Sequence, residues 1–180
     1  MNINWNYVEI KNKFLSYFVY RWWGHSWHVT HPNPPLHILD CCDGLLKFHD
    51  PRLYQHFNAL NVSVGITQYY YLYIGLNRFC SCASFACPGV VCWSMISSFF
   101  SEVLNRADWL AFVDFIVANF ERIELMLCIP IAIIHQLKGS LLTGQTADQL
   151  INFCRSQQGG IRVKDCIKKS LDLIRNTPPK

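Results

Sequence analysis

Two neighbouring side chains in the stretch LLKFHDPRLYQHF could act together on a proton. His49 and Asp50 are adjacent, and an imidazole beside a carboxylate is a common pair for general acid–base chemistry. Adjacent residues in a turn, however, are seldom aimed at one substrate. Asp50 suits a helix N-cap, and Pro51 suits the first helical position, because its missing N–H would have no partner there. The three residues therefore predict a corner between two helices.

A second candidate for chemistry is the cysteine-rich run FCSCASFACPGVVCW. Cys80, Cys82, Cys87 and Cys92 follow the spacing C-x-C-x4-C-x4-C. Structural zinc sites usually pair their ligands in C-x-x-C knuckles, and this run contains none. We therefore expect no metal site, no cofactor and no catalytic residue in this chain. The thiols are expected to pack as small hydrophobic side chains in a reducing compartment.

Helical periodicity flanks the corner on both sides. Apolar residues recur three or four positions apart, which predicts one apolar face on each helix. These residues are Ile38, Cys41, Leu45 and Phe48 before the corner, and Leu53, Phe57 and Leu60 after it.

The second half of the chain predicts four more helices. Asn105 can cap a helix with an apolar stripe through residues 109–120, and residues 123–137 suit a buried helix that contains Pro130. Thr146 opens a third helix by capping-box spacing, and residues 163–174 mark the last one. Every assigned element is helical, so the predicted fold class is all-α.

The composition indicates apolar surfaces that need a partner, a membrane or another part of the same protein to bury them. The chain has 180 residues, of which 51% are hydrophobic and only 16% are charged, below the ~25% usual in soluble domains. The net charge of +4 is mild and no dense Lys/Arg stripe occurs, which argues against nucleic acid as a partner. Lys164, Lys168 and Lys169 are expected to form one solvated helix face.

One segment raises the question of a membrane. Phe79 to Ser101 carries no charge and is close to the ~20 residues that a membrane helix needs. Its serines and the interior Pro88-Gly89 argue against a span. Membrane contact through residues 79–101 is therefore kept as an alternative. The opening residues MNINWNYVEIKNK do not resemble a secretory signal.

The corner sequence resembles that of TBC domains, the helical domains of Rab GTPase-activating proteins. In that family an apolar helix ends in a His-Asp-Pro turn, and Leu and His follow at the positions of Leu53 and His56. The stretch FFSEVLNRADWLAFVDFIVANF is similar to the family's later Trp-Asp helix. It contains Trp109, and Val113-Asp114 stands where the family has Trp-Asp, so that Trp is absent. WGHSWHVTHPNPP and FSEVLNRADWL resemble a divergent group in which WD repeats, a TBC domain and a coiled coil are joined.

The resemblance implies an irregular multi-helix lobe. Residues 1–180 would form a partial TBC domain, with a Cys-rich insertion near residues 74–98. The residues expected to form its structural motif are His49, Asp50, Pro51, Leu53, His56, Trp109 and Asp114.

Active members of the family use an Arg in an I-x-x-D-x-x-R motif and a Gln in a Y-x-Q motif. The Arg offsets charge on the transferring phosphoryl group, and the Gln orients the attacking water. Neither motif occurs in this chain: Arg21 lacks the Asp three residues ahead of it, and Gln68 lacks the Tyr.

We therefore expect a helical interaction or scaffold module, related to Rab GTPase regulators, without GTPase-activating activity in this chain. The expected partner is a Rab-type GTPase or a helical protein. The expected location is the cytoplasm, with the centrosome or cilium implied by the resemblance. A fragment of an active Rab GTPase-activating protein is the first alternative, and a small membrane-anchored helical protein is the second.

Overall fold

The computed structural model describes residues 36–60, 91–156 and 160–178. These three ranges contain eight helices and no strand, which confirms the all-α prediction for the described part of the chain. The helices are α1 (Leu36–His49), α2 (Pro51–Ala59), α3 (Val91–Ser97), α4 (Arg106–Ala118), α5 (Leu125–Gln136), α6 (Lys138–Leu141), α7 (Ala147–Ser156) and α8 (Val163–Asn176).

Helix α5 is the centre of the described structure. It packs against α1, α3, α6 and α8, and nine of its twelve residues are buried, including Pro130. A helix that is apolar all round must be covered on every side, so the other helices surround it. The buried helix expected over residues 123–137 is thus present, but it begins at Leu125. Ile123 lies in the preceding turn and is 49% exposed.

The predicted corner lies between α1 and α2. The Asp50 N–H donates to Leu46 O at 2.8 Å, which closes α1. The Asp50 side chain then accepts from the Leu53 N–H at 3.1 Å, with Pro51 in the first turn of α2. Leu53 and Phe57 are fully buried, so the corner turns the apolar face of α2 onto the core.

The apolar stripe predicted for α1 is not its most buried face. Cys42 and Leu46 are fully buried, whereas Phe48 is 58% exposed. Cys41 and Leu45 are only half-buried. Helix α1 carries apolar residues on two adjacent faces, and the helices described by the structure fully cover one of them.

Two aromatic residues form a tight turn after α3. Phe99 and Phe100 have φ of 49° and 62°, a left-handed conformation that is costly for bulky residues. Both rings meet Phe112 of α4 edge-on, at centroid distances of 5.8 and 4.9 Å. The indole N–H of Trp109 donates to Phe99 O at 2.8 Å. Packing and this hydrogen bond therefore hold the turn in place.

Helix α3 lies within the range of the insertion predicted near residues 74–98. Residues 74–90 lie outside the described residues. Val91, Cys92, Met95 and Ile96 of α3 belong to the hydrophobic core. The insertion remains a prediction, but its last residues are part of the packed structure.

Helix α8 covers one side of α5. Val163, Cys166, Ser170 and Leu173 are its buried residues, one residue away from much of the predicted stripe. Lys164 and Lys168 are exposed, as expected for a solvated face, whereas Lys169 is half-buried. Lys169 therefore lies nearer to α5 than the sequence indicated.

Candidate functional site

Asp50 is the most connected polar residue of the corner. Its carboxylate is only 4% exposed; besides capping α2 it lies 2.6 Å from Lys138 Nζ and 3.4 Å from His135 Nε2. Burial opposes its charge, but the Lys138 ammonium and the Leu53 N–H outweigh this effect and lower the pKa of the Asp50 carboxyl below its ordinary value. One carboxylate thus links the corner to the end of α5 and the start of α6.

His49 ties the corner to the end of α8. Its Nε2 lies 2.8 Å from Thr177 Oγ1, and the Thr177 hydroxyl donates its single proton to Leu173 O at 2.7 Å. The hydroxyl oxygen must therefore accept, so His49 Nε2 carries the hydrogen. The Nε2 hydrogen of His49 is therefore used in a hydrogen bond to Thr177, which links the corner to the end of α8.

Two imidazoles beside the corner are held toward the neutral form. Burial and the nearby Lys169 ammonium lower the pKa of His49 and the pKa of His135 below the ordinary 6.5. The Asp50 carboxylate raises the pKa of His135, but by less than burial and Lys169 lower it. The cluster therefore favours neutral imidazoles and an ionised carboxylate near pH 7.

The remaining predicted motif residues fall into two groups. His56 Nε2 lies 3.1 Å from Leu141 O, so it joins α2 to α6 beside the His49–Asp50 corner. Trp109 belongs to α4 and bonds the turn after α3. Asp114 is exposed on α4. The structure thus groups the corner residues together and places Trp109 and Asp114 on another helix.

Sequence reasoning missed His135, Lys138 and Thr177. Each one meets the corner from a distant part of the chain; His49 and Thr177 are 128 positions apart. The one available signal was weak: a Lys and a His directly follow the apolar run of α5, where cations suit a helix C-terminus. The sequence positions of His135 and Lys138 did not indicate that Asp50 would be their partner.

The described helices form an apolar groove of about 570 Å³. It is formed by α1, α5, α8 and the residues that follow α8. We call it the α1/α5/α8 groove. Its lining residues include Cys41, Leu45, Phe48, Leu127, Cys128, Ile174 and Pro178.

The second apolar face of α1 forms one wall of this groove. Three of the four residues in the predicted α1 stripe, Cys41, Leu45 and Phe48, line it. Gly44 also lines the groove, and a Cβ there would meet no atom within 4 Å, so the floor is open. Glu124 supplies a carboxylate at the rim. Among the described residues, the groove is thus an open, mainly apolar surface with Glu124 as its one acidic side chain.

Five of the six cysteines in the described ranges pack in the interior. Cys42, Cys92, Cys128, Cys154 and Cys166 are buried and none forms a disulfide. Burial raises the pKa of three of these thiols, those of Cys128, Cys154 and Cys166, to about 12. These thiols are therefore protonated at neutral pH and poorly nucleophilic.

Metal binding and membrane spanning were both considered from the sequence. Within residues 36–60, 91–156 and 160–178, no group of three or more His, Cys, Asp or Glu side chains is placed to hold a metal ion. Cys80, Cys82 and Cys87 lie outside these residues. In the same ranges no helix has the length and apolar character to cross a membrane.

Several curated proteins that share one name are similar to this chain. TBC1 domain family member 31 of Oryzias latipes is 32% identical over 106 residues, 59% of this chain and 8% of that protein. The Homo sapiens protein is 32% identical over 104 residues, 58% of this chain and 8% of its own length. The chain is related to TBC1 domain family member 31. The resemblance first indicated by the His-Asp-Pro corner is thereby confirmed.

A longer alignment extends the similarity over most of the chain. The Bos taurus protein of the same name is 26% identical over 156 residues, 87% of this chain and 12% of that protein. The matched region thus spans about a tenth of the length of these relatives. No protein-family model matches the chain, and no solved structure matches it either.

Proposed function

We propose that this chain is a helical interaction module of a Rab-regulator-like protein. It would dock an apolar partner helix in the α1/α5/α8 groove and would not by itself accelerate GTP hydrolysis. The observation that carries this proposal is the groove, in which three residues of the predicted α1 stripe are only half-buried or exposed. Phe48, 58% exposed, is its most accessible large apolar side chain.

The shape and lining of the groove favour a helical partner. Recognition of an amphipathic helix needs an apolar trough that accepts side chains spaced three and four residues apart. Here three helices provide the walls, and the polar atoms of the adjacent corner are already engaged inside the protein. The hydroxyl of Thr177, for example, accepts from His49 and donates to Leu173 O. Binding would thus come mainly from apolar burial.

The charge at the rim suggests an additional feature of the partner. The nearest cation recorded for the Glu124 carboxylate is Arg122, whose Nε is 3.4 Å from Oε1, and both side chains are substantially exposed. An exposed pair of this kind contributes little, so Glu124 is available to a partner's Lys or Arg. The preferred partner is therefore an amphipathic helix with a basic residue at one edge of its apolar face.

A direct test uses two synthetic peptides of identical composition. One has Leu and Phe at helical spacing with a Lys beside the apolar face, and the other has the same residues scrambled. We expect the patterned peptide to bind the full chain more tightly by fluorescence anisotropy. Phe48→Glu should weaken this binding at least about tenfold, the loss expected for one desolvated aromatic anchor.

The matched control is Leu110→Glu. Leu110 is similarly apolar and 49% exposed, but it lies on α4 outside the groove. Equal binding of the two peptides, or equal losses in the two variants, would contradict the proposed docking site.

A Rab-type GTPase is the second candidate partner, because the chain is related to a TBC-domain protein. A Rab panel in the same binding assay distinguishes the two partner classes.

We place the chain in the cytoplasm and, by resemblance, at the centrosome or cilium. The alternative of an active Rab GTPase-activating protein seen in part requires an Arg and a Gln motif from sequence beyond this chain.

A further inference from the structure

A second, smaller cleft lies between the end of α5 and the start of α8. Its volume is about 220 Å³ and it shares no residue with the α1/α5/α8 groove. Five of its seven lining residues in the described part of the chain are polar or charged. The polar residues are His135, Gln136, Arg162, Asp165 and Lys169.

The orientation of the Gln136 amide is fixed by two donors. Its Oε1 accepts from the Arg162 backbone N–H at 3.2 Å and from the Cys166 thiol at 3.1 Å. An NH2 group in that place would face the Arg162 N–H, so the oxygen must occupy it. The Gln136 Nε2 donors consequently point away from these partners, and no acceptor holds them within the described residues.

The charged groups of the cleft leave positive charge uncompensated. Asp165 Oδ2 pairs with Arg162 Nε at 3.0 Å, and a guanidinium has further N–H donors beyond that one. Lys169 has no ion-pair partner in the described part of the chain. Its field acts instead on His135, whose pKa it helps to lower. The described lining residues of the cleft therefore offer several donors and one carboxylate, that of Asp165.

We propose that this cleft binds a phosphomonoester group through Lys169, the free amide donors of Gln136 and the guanidinium of Arg162. Such a group carries about −1.5 to −2 charges at pH 7 and three acceptor oxygens, which suits a cleft lined by donor side chains from the end of α5, from Arg162 and from α8. A singly charged carboxylate would gain less from Lys169 and Arg162, because the Coulomb attraction grows with the charge of the anion. The same chemistry is offered by free phosphate and by a phosphorylated Ser or Thr of a partner protein.

The ring of His135 reports on occupancy of the cleft. It is flanked by Asp50 Oδ2 at 3.4 Å, by Lys138 and by Lys169. A bound dianion would favour the imidazolium, so we expect the His135 pKa, followed by NMR of the full chain, to rise as inorganic phosphate is added at constant ionic strength. Sulfate at equal ionic strength tests whether any dianion suffices.

The matched variants are Lys169→Gln and Lys168→Gln. They remove the same charge from neighbouring positions of α8, but only Lys169 lines the cleft, whereas Lys168 is exposed. We expect Lys169→Gln to weaken phosphate binding about tenfold or more and Lys168→Gln to change it less than threefold. Equal losses in both variants, or a His135 response that does not saturate, would overturn the proposal.

Two peptides then distinguish the sources of the phosphomonoester. A phosphoserine peptide that binds at least tenfold more tightly than inorganic phosphate indicates a phosphorylated partner, while equal affinities indicate the free anion. If the unphosphorylated peptide binds as well as the phosphoserine peptide, the phosphomonoester is not recognised and the proposal fails.

Discussion

Asp50 stabilises two separate parts of the fold through one carboxylate. It caps α2 through the Leu53 N–H and faces Lys138 at 2.6 Å. We expect Asp50→Ala to lower the free energy of unfolding by about 1–2 kcal/mol, mostly through loss of the cap, since Lys138 is partly solvated. Asp50→Asn keeps a good capping residue and should cost less. Urea unfolding of the three proteins checks this order, and an alanine variant as stable as the parent would disprove it.

The imidazoles near Asp50 predict how stability depends on pH. The folded chain lowers the pKa of His49 and His135 below 6.5, so the unfolded chain binds more protons as the pH falls through 6.5. Stability should therefore decrease on acidification in that range. The lowered pKa of Asp50 keeps its contribution intact above 3.8 and removes it only at more acid pH. Unfolding free energies measured from pH 7.5 to 5 should show the decrease caused by the two histidines.

The comparison variant for this pH dependence is His135→Gln. It lacks one of the depressed imidazoles, so its stability should fall less steeply than that of the parent between pH 7.5 and 5. Parallel curves for the two proteins would contradict the role given to His135.

At the scale of the elements, the turn after α3 depends on Trp109. The indole N–H bonds the carbonyl of Phe99, a residue with φ of 49°. Trp109→Phe keeps an aromatic ring but removes this donor, and we expect a loss of about 1 kcal/mol in unfolding free energy. Leu110→Phe, at an exposed position of the same helix, is a control. Identical thermal unfolding of the parent and the Trp109 variant would show that packing alone holds the turn.

Local sequence signals predicted where helices begin and end better than they predicted which helix faces are buried. The caps at Asp50 and Asn105 and the start of α7 at Thr146 follow from a few neighbouring residues, and the structure has each of these bonds. The burial of α1 could not be predicted this way, because both of its apolar faces satisfy helical periodicity. Packing of α1 against helices such as α2, α3 and α5, rather than its own sequence, determines that Leu46 is buried while Phe48 stays exposed.

The polar contacts between helices were outside the reach of sequence reasoning. Asp50 and Lys138 meet across 88 positions of sequence, the difference of their residue numbers, because α5 returns its end to the corner. The cleft at Gln136 likewise needs the start of α8 to lie beside the end of α5. A single sequence carries no record of such pairings, whereas a cap or a turn is encoded within one helical turn.

At the scale of the whole molecule, the chain is proposed to bind without catalysing. Stimulation of GTP hydrolysis by an arginine finger is worth roughly a thousandfold or more in rate, and this chain lacks the family's Arg and Gln motifs. We expect no acceleration of phosphate release over a Rab panel with the purified chain. Acceleration that survives Arg21→Ala would reveal another catalytic group, and acceleration lost in that variant would assign the role to Arg21.

The groove makes the central claim of a docking module open to a direct measurement. Hydrogen exchange of the full chain is recorded by mass spectrometry with and without the patterned helical peptide. We predict slower exchange in residues 41–48 of α1, at the start of α5 and around residues 174–178, while α4 is unchanged. Protection confined to α4, or saturating peptide with no protection in these three segments, would contradict the assignment of the α1/α5/α8 groove as the binding surface.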